Sequence, residues 1–237
     1  MDENFNAVGI QSAAAGYDAG LRSHMQRVYN YMAGGLALTG GLAWMVANTT
    51  LGGMIWGSPL RWLVVMAPLA FLIFMQIRMQ KLSASALRTI FFAYSATMGL
   101  SLSILFLVYT NASIARAFFI TAATFGTMSL WGYTTKKDLS GFGGFLMMGV
   151  IGLLIASVVN MFLASPMMYW VTSVVGVFVF TGLTAWDTQR IAQQYYMPAV
   201  GSGDMVGKGA LMGALQLYLD FLNLFMIMLR LFGNSRD

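Results

Sequence analysis

The sequence predicts an all-α polytopic membrane protein, a bundle of seven transmembrane helices. Three observations predict it. Of the 237 residues 58% are hydrophobic and only 9% charged, with a mean hydropathy of +0.71, a balance that leaves too little polar surface to coat a water-soluble domain. The apolar residues fall in runs of about 20, the length of helix that crosses a bilayer core. Short connections rich in Gly, Pro and Ser separate those runs, as turns do.

The expected spans are 25–47, 60–77, 87–109, 114–133, 142–163, 168–193 and 209–232. Residues 1–24 form a polar tail with Asp2, Glu3 and Asp18, and they lack the basic start and short apolar core of a secretory signal. Residues 25–233 are then one seven-span domain, since no linker divides them. The first span carries Gly34, Gly35, Gly40 and Gly41, and Gly52, Gly53, Gly57 and Pro59 punctuate the loop after it. The third has Tyr94, Thr97 and Ser101, and the fifth has Gly149, Gly152, Ala156 and Asn160 on one face. Small residues let membrane helices approach closely, so these stripes read first as packing and second as a polar pathway. Ser165 and Pro166 separate spans five and six, and Pro198, Gly201, Ser202 and Gly203 lie between spans six and seven.

Basic residues set the expected orientation. With the N-terminus inside, nine of the 13 Lys and Arg fall in inner regions, which gives a cytoplasmic N-terminus and an outer C-terminus. Aromatic belts agree, with Trp44, Trp56, Trp62 and Trp170 at one face and Tyr29, Trp131, Tyr133 and Tyr195 at the other. The net charge of +5 therefore reflects loop placement, and nucleic acid is not an expected partner.

Two acids interrupt the apolar runs. Asp220 lies in the last span on a stripe with Gly209, Gly213, Gln216 and Asn223, spaced so that one helical face carries all five. Eleven residues past Gly209 place it about 16 Å along the helix, near mid-membrane. Asp187 interrupts the sixth span nearer its inner end, where the helix dipole disfavours an acid. An acid at bilayer depth costs about 3 kcal/mol on insertion scales, and such residues are commonly paired and functional. A structural acid satisfied by Tyr or Thr neighbours is the alternative for Asp220, and an interfacial acid that snorkels is the alternative for Asp187. If both face one cavity they titrate as a coupled unit, a proton switch. Their hard oxygens suit calcium but fall short of the six to eight it takes, so any metal site at Asp187 and Asp220 is weak. Arg78, at the inner end of the second span, is a candidate latch for a carboxylate. Arg190, one turn after Asp187, is a second cation within reach.

Other classes drop out. The one histidine, His24, lies in the tail, so no intramembrane Ser-His dyad or His-Glu metal helix is available. No lysine sits inside the last span for a retinal, no internal repeat marks a transporter, and no cofactor or enzymatic activity is expected.

The segments ALQLYLDFLNLFMIMLRLFG from Ala214, TGLTAWDTQRI from Thr181 and VYNYMAGGLALTG from Val28 resemble the transmembrane Bax inhibitor motif family, the Bax inhibitor-1 and lifeguard group. The resemblance implies six helices around the last, and a calcium leak gated by pH. In it Asp187 and Asp220 would be a di-aspartyl pair and Arg78 the latch of the closed state. Relatives with calcium leak often carry a further acid in the second span, whereas 67–76 has none here. The implied partners are the bilayer, calcium and protons, and the implied site is a bacterial inner membrane. Some members of the family regulate cell death or membrane proteases, so a non-conducting regulator that binds such a partner is the alternative expectation.

Overall fold

In the computed structural model, residues 2–78, 81–195, 203–234 and 236 are described, with side-chain surroundings from residue 19 onward. Nine helices follow one another among them: α1 (Asp2–Ala47), α2 (Thr50–Trp56), α3 (Leu60–Arg78), α4 (Ala84–Leu102), α5 (Ile104–Val108), α6 (Asn111–Thr134), α7 (Ser140–Leu163), α8 (Pro166–Gln194) and α9 (Gly203–Phe232). No strand occurs among the described residues.

Local chemistry fixes several helix ends. Ser83, Thr110 and Ser165 sit in extended conformation before α4, α6 and α8, and each hydroxyl accepts a first-turn amide, from Ala86, Ser113 and Met168 respectively. Pro166 then opens α8, where its missing N–H costs nothing. Between α7 and α8 the chain turns at Ala164, the one non-glycine residue with positive φ (49°) among those described. Asn160 caps the turn by accepting the Ser165 amide.

Six helical stretches are long and apolar enough to cross a membrane: α3, α4 with α5, α6, α7, α8 and α9. The stretch 25–47, expected as the first of seven spans, is the second half of α1 and is not among them. Its four glycines, with Asn30 and Thr39, dilute its apolar character. The expected third span bends at Ser103, which ends α4 and begins α5, and whose hydroxyl accepts the indole N–H of Trp56 at 2.9 Å. The loop expected around Gly52 and Gly57 instead contains α2. His24, expected in a polar tail, is buried within α1 with its ring centroid 5.3 Å from that of Tyr195. Pro198, Gly201 and Ser202 lie outside the described residues.

Helix α9 is the axis of the bundle. Its span is 72% buried, against 11% for α3 and 0% for α7. Leu211, Leu215, Leu217, Tyr218, Phe221, Leu224, Phe225 and Leu229 make it apolar on every side, as an enclosed helix must be. The enclosure differs from the six helices that the family resemblance implies. Helices α1, α4, α6 and α8 pack on α9, whereas α3 packs chiefly on α4 and α7 on α8. The physical reason lies in α7: Phe145, Met148, Ile151, Leu154, Ile155, Met161 and Phe162 are all exposed, a surface suited to lipid and not to the core.

Polar ties complete the packing around α9. Thr39 of α1 gives its hydroxyl hydrogen to the Ser95 carbonyl of α4 (2.8 Å), so Tyr218 of α9 must be the donor in its 2.7 Å bond to Thr39 Oγ1. Three helices therefore meet at one threonine. Close backbone approach is equally specific: a Cβ on Gly132 of α6 would lie 2.3 Å from the Ala185 carbonyl of α8, while one on Gly152 of α7 would meet nothing within 4 Å. Gly132→Ala should therefore push α6 from α8 and cost about 1–3 kcal/mol, the range for overpacking. Gly152→Ala should leave the thermal unfolding midpoint in detergent unchanged, and equal midpoints for the two variants would refute this packing.

Candidate functional site

The two acids expected to matter are brought together. Asp187 of α8 and Asp220 of α9 are 3% and 6% exposed, and both lie where the two helices pack, with Asp187 bonded to Gln216 one turn before Asp220. Helix geometry explains how residues at unequal depth meet. Gln216 and Asp220 lie one turn apart on the same face of α9, and Asp187 faces that stretch from α8. The Gln216 side-chain amide donates to Asp187 Oδ1 from one side. Asp220 approaches from the next turn.

Gly213 lets the helices come this close. A Cβ there would already stand 2.9 Å from Ile191 of α8, one turn beyond Asp187. The stripe read from the sequence is thus half packing device and half polar site. Asn223, its last member, is not part of the site: it is exposed and lines a separate cavity of about 150 Å³ with Ser157, Thr172 and Arg230.

The satisfaction of the four carboxyl oxygens is uneven. Asp187 Oδ1 has Gln216 and, at 4.0 Å, the Arg190 guanidinium. Asp220 Oδ2 is buried without any hydrogen-bond partner. An ionised carboxylate is an acceptor only, so two of them in contact without a proton or cation between them would leave unpaired charge at the bundle centre. The arrangement accommodates a proton or a cation between the acids.

Arg190 is the cation that reaches the pair. Its guanidinium also lies over the Trp186 ring, 4.9 Å from the centroid, and the side chain is 44% exposed. A contact this long and this exposed is a weak and reversible tie. Arg78, the candidate latch, is not brought to the acids. It stands exposed at the end of α3, a helix held by α4 and α2, and forms no ion pair among the described residues.

A hydroxyl chain beside the pair was not read from the sequence. Tyr29 of α1 bonds Ser129 of α6 (2.6 Å), which bonds Thr188 of α8 (2.9 Å), and Thr188 donates to the Thr184 carbonyl (2.7 Å). The available signal was the recurrence of Thr184 and Thr188 at i, i+4 in an apolar helix. Tyr29, expected in an aromatic belt, is half-buried. Three or more His, Cys, Asp or Glu side chains never gather into a metal-binding group among the described residues.

This fold and site define a class: an all-α polytopic membrane protein with buried acids on two adjacent helices of its interior. The family described as "Inhibitor of apoptosis-promoting Bax1" matches residues 21–237, and the chain belongs to this Bax inhibitor family. It is 46% identical over 220 residues to the inner membrane protein YbhL of Escherichia coli K12, covering 92% of this chain and 94% of that protein. It is 42% identical over 226 residues to the uncharacterized protein RP147 of Rickettsia prowazekii, covering 93% of each. An uncharacterized protein of Caulobacter vibrioides is 41% identical over 230 residues, covering 93% of this chain and 92% of its own length.

The geometry separates the two polar members of the α9 stripe. Gln216→Leu removes the donor to a buried carboxylate and should cost about 1–3 kcal/mol in unfolding experiments in detergent. Asn223→Leu touches nothing of the site and should stay within about 0.5 kcal/mol of the parent. Equal losses in the two variants would contradict this assignment.

Proposed function

We propose that this protein is a pH-sensitive calcium leak channel of a bacterial inner membrane, with Asp187 and Asp220 sharing a proton as its sensor. The observation that carries the reading is the burial of two acids on adjacent packed spans, one bonded by Gln216 and the other with a carboxyl oxygen left unpaired. Buried acids at membrane depth mark ion or proton routes more often than they serve stability. The inner-membrane name of the Escherichia coli relative supports the location.

In this reading the ionised state is the closed one. Asp187 then holds Gln216 of α9 and attracts Arg190, which keeps the end of α8 against α9. Adding a proton weakens both attractions, and the two helices can part along the contact that Gly213 makes narrow. Arg190 takes the latch role expected of Arg78, because it is already within 4.0 Å of the acid. Calcium would pass and not be retained, since two carboxylates and one amide oxygen fall short of a six- to eight-oxygen shell.

Calcium flux into liposomes holding only the purified protein tests this across a pH series. The parent protein should pass calcium faster as pH falls. Asp187→Asn and Asp220→Asn should each flatten that dependence, and Arg190→Gln should raise flux at the high-pH end. Absence of flux at every pH, or a pH dependence unchanged in both aspartate variants, would overturn the reading and leave the non-conducting regulator of a membrane protease or cell-death partner.

A further inference from the structure

Helices α1 and α6 both pack on α9 yet share almost no direct contact, and a cleft of about 430 Å³ lies between them. They run in opposite directions, joined at the cleft by the Tyr29–Ser129 hydrogen bond. Seven residues back along α1 is Arg22, and four residues on along α6 is Tyr133, so both lie at the same end of the cleft, about 10 Å and about 6 Å along their helices from that bond. Met25, Phe125 and Leu130 make the body of the cleft apolar. One end is therefore cationic and hydrogen-bonding, and the rest is mainly apolar, interrupted by Gln26 and the Tyr29–Ser129 pair.

Basic side chains gather at that end. Arg22 is exposed and pairs with no carboxylate among the described residues, and the exposed Lys136 and Lys137 follow Tyr133 in the next loop, ahead of one acid, Asp138, that accepts the Ser140 amide. Basic pockets between membrane helices suit the phosphate of an acidic lipid, whose chain can lie in the apolar part. Gly126 keeps the wall of the cleft open, because a Cβ there would meet nothing within 4 Å. The volume is enough for part of one acyl chain.

We propose that this cleft binds an anionic phospholipid drawn from the surrounding bilayer, with the phosphate at Arg22 and Tyr133 and a chain along Met25, Phe125 and Leu130. The site does not depend on ion conduction. It lies one hydroxyl chain from Thr188, the residue after Asp187, so an occupant would press on the part of α8 that carries the acid.

Native mass spectrometry of the full chain tests this after incubation with equal amounts of phosphatidylglycerol and phosphatidylcholine. The parent should retain phosphatidylglycerol in preference to phosphatidylcholine. Arg22→Gln should reduce that preference about fivefold, the effect of one basic residue at a membrane surface. Gly126→Leu, which fills open space, should reduce retention of both lipids while leaving the unfolding midpoint unchanged. Equal retention of the two lipids by the parent, or a preference that survives both substitutions, would overturn the proposal. So would full displacement of the lipid by inorganic phosphate, which would show that the acyl chain contributes nothing.

Discussion

The packing of α8 on α9, with Asp187 and Asp220 both buried along it, constrains everything else in this fold. A carboxyl at bilayer depth is tolerated only when protein surrounds it and polar groups answer it. Asp220 obliges α9 to be enclosed, and α9 is accordingly the most buried of the spans. Asp187 obliges α8 to lie against it. The amide of Gln216 and the guanidinium of Arg190 answer one oxygen, and the unanswered Asp220 Oδ2 is the point at which the interior is chemically incomplete.

Enclosing α9 takes four helices because the spans share the work unequally. Helices α1, α4, α6 and α8 give up polar and small residues to the interior, among them Thr39, Ser95, Ser129, Gly132 and Thr188, which tie helix to helix where lipid provides no hydrophobic drive. Helices α3 and α7 stay outside and show apolar side chains to the bilayer. Asymmetry follows from this division. The α1 and α6 faces of the bundle are not sealed by a third helix, and a cleft remains there that carries a cation at one end.

Much of this could be read from residue types alone. Asp187 and Asp220 stand out because an acid inside an apolar run has few explanations, and Gln216 follows from its place one turn before Asp220. The polar stripe of α9 says that this face meets protein, and the central position of the helix was legible only through the family resemblance. What the stripe could not reveal is which of its members turn toward α8. Asn223 shares the face by spacing, yet it points into another cavity near Arg230, because the stripe winds around α9 relative to the straight contact with α8. The place of Arg78 was legible only in part: its position at the end of a span says that it lies at the membrane surface, and nothing in the sequence says that α3 packs on α4 and α2. The break at Ser103 and the short helix α2 were hidden by ordinary apolar composition, and the hydroxyl chain through Ser129 depends on three helices whose rotation only packing decides.

Infrared difference spectroscopy of the reconstituted protein, with the aspartates isotopically labelled, tests most directly whether the two acids share a proton. The account predicts one intramembrane carboxyl band that appears and disappears with a single proton, and that both Asp187→Asn and Asp220→Asn abolish in its original form. Two carboxyl bands that titrate separately, each surviving replacement of the other acid, would contradict it.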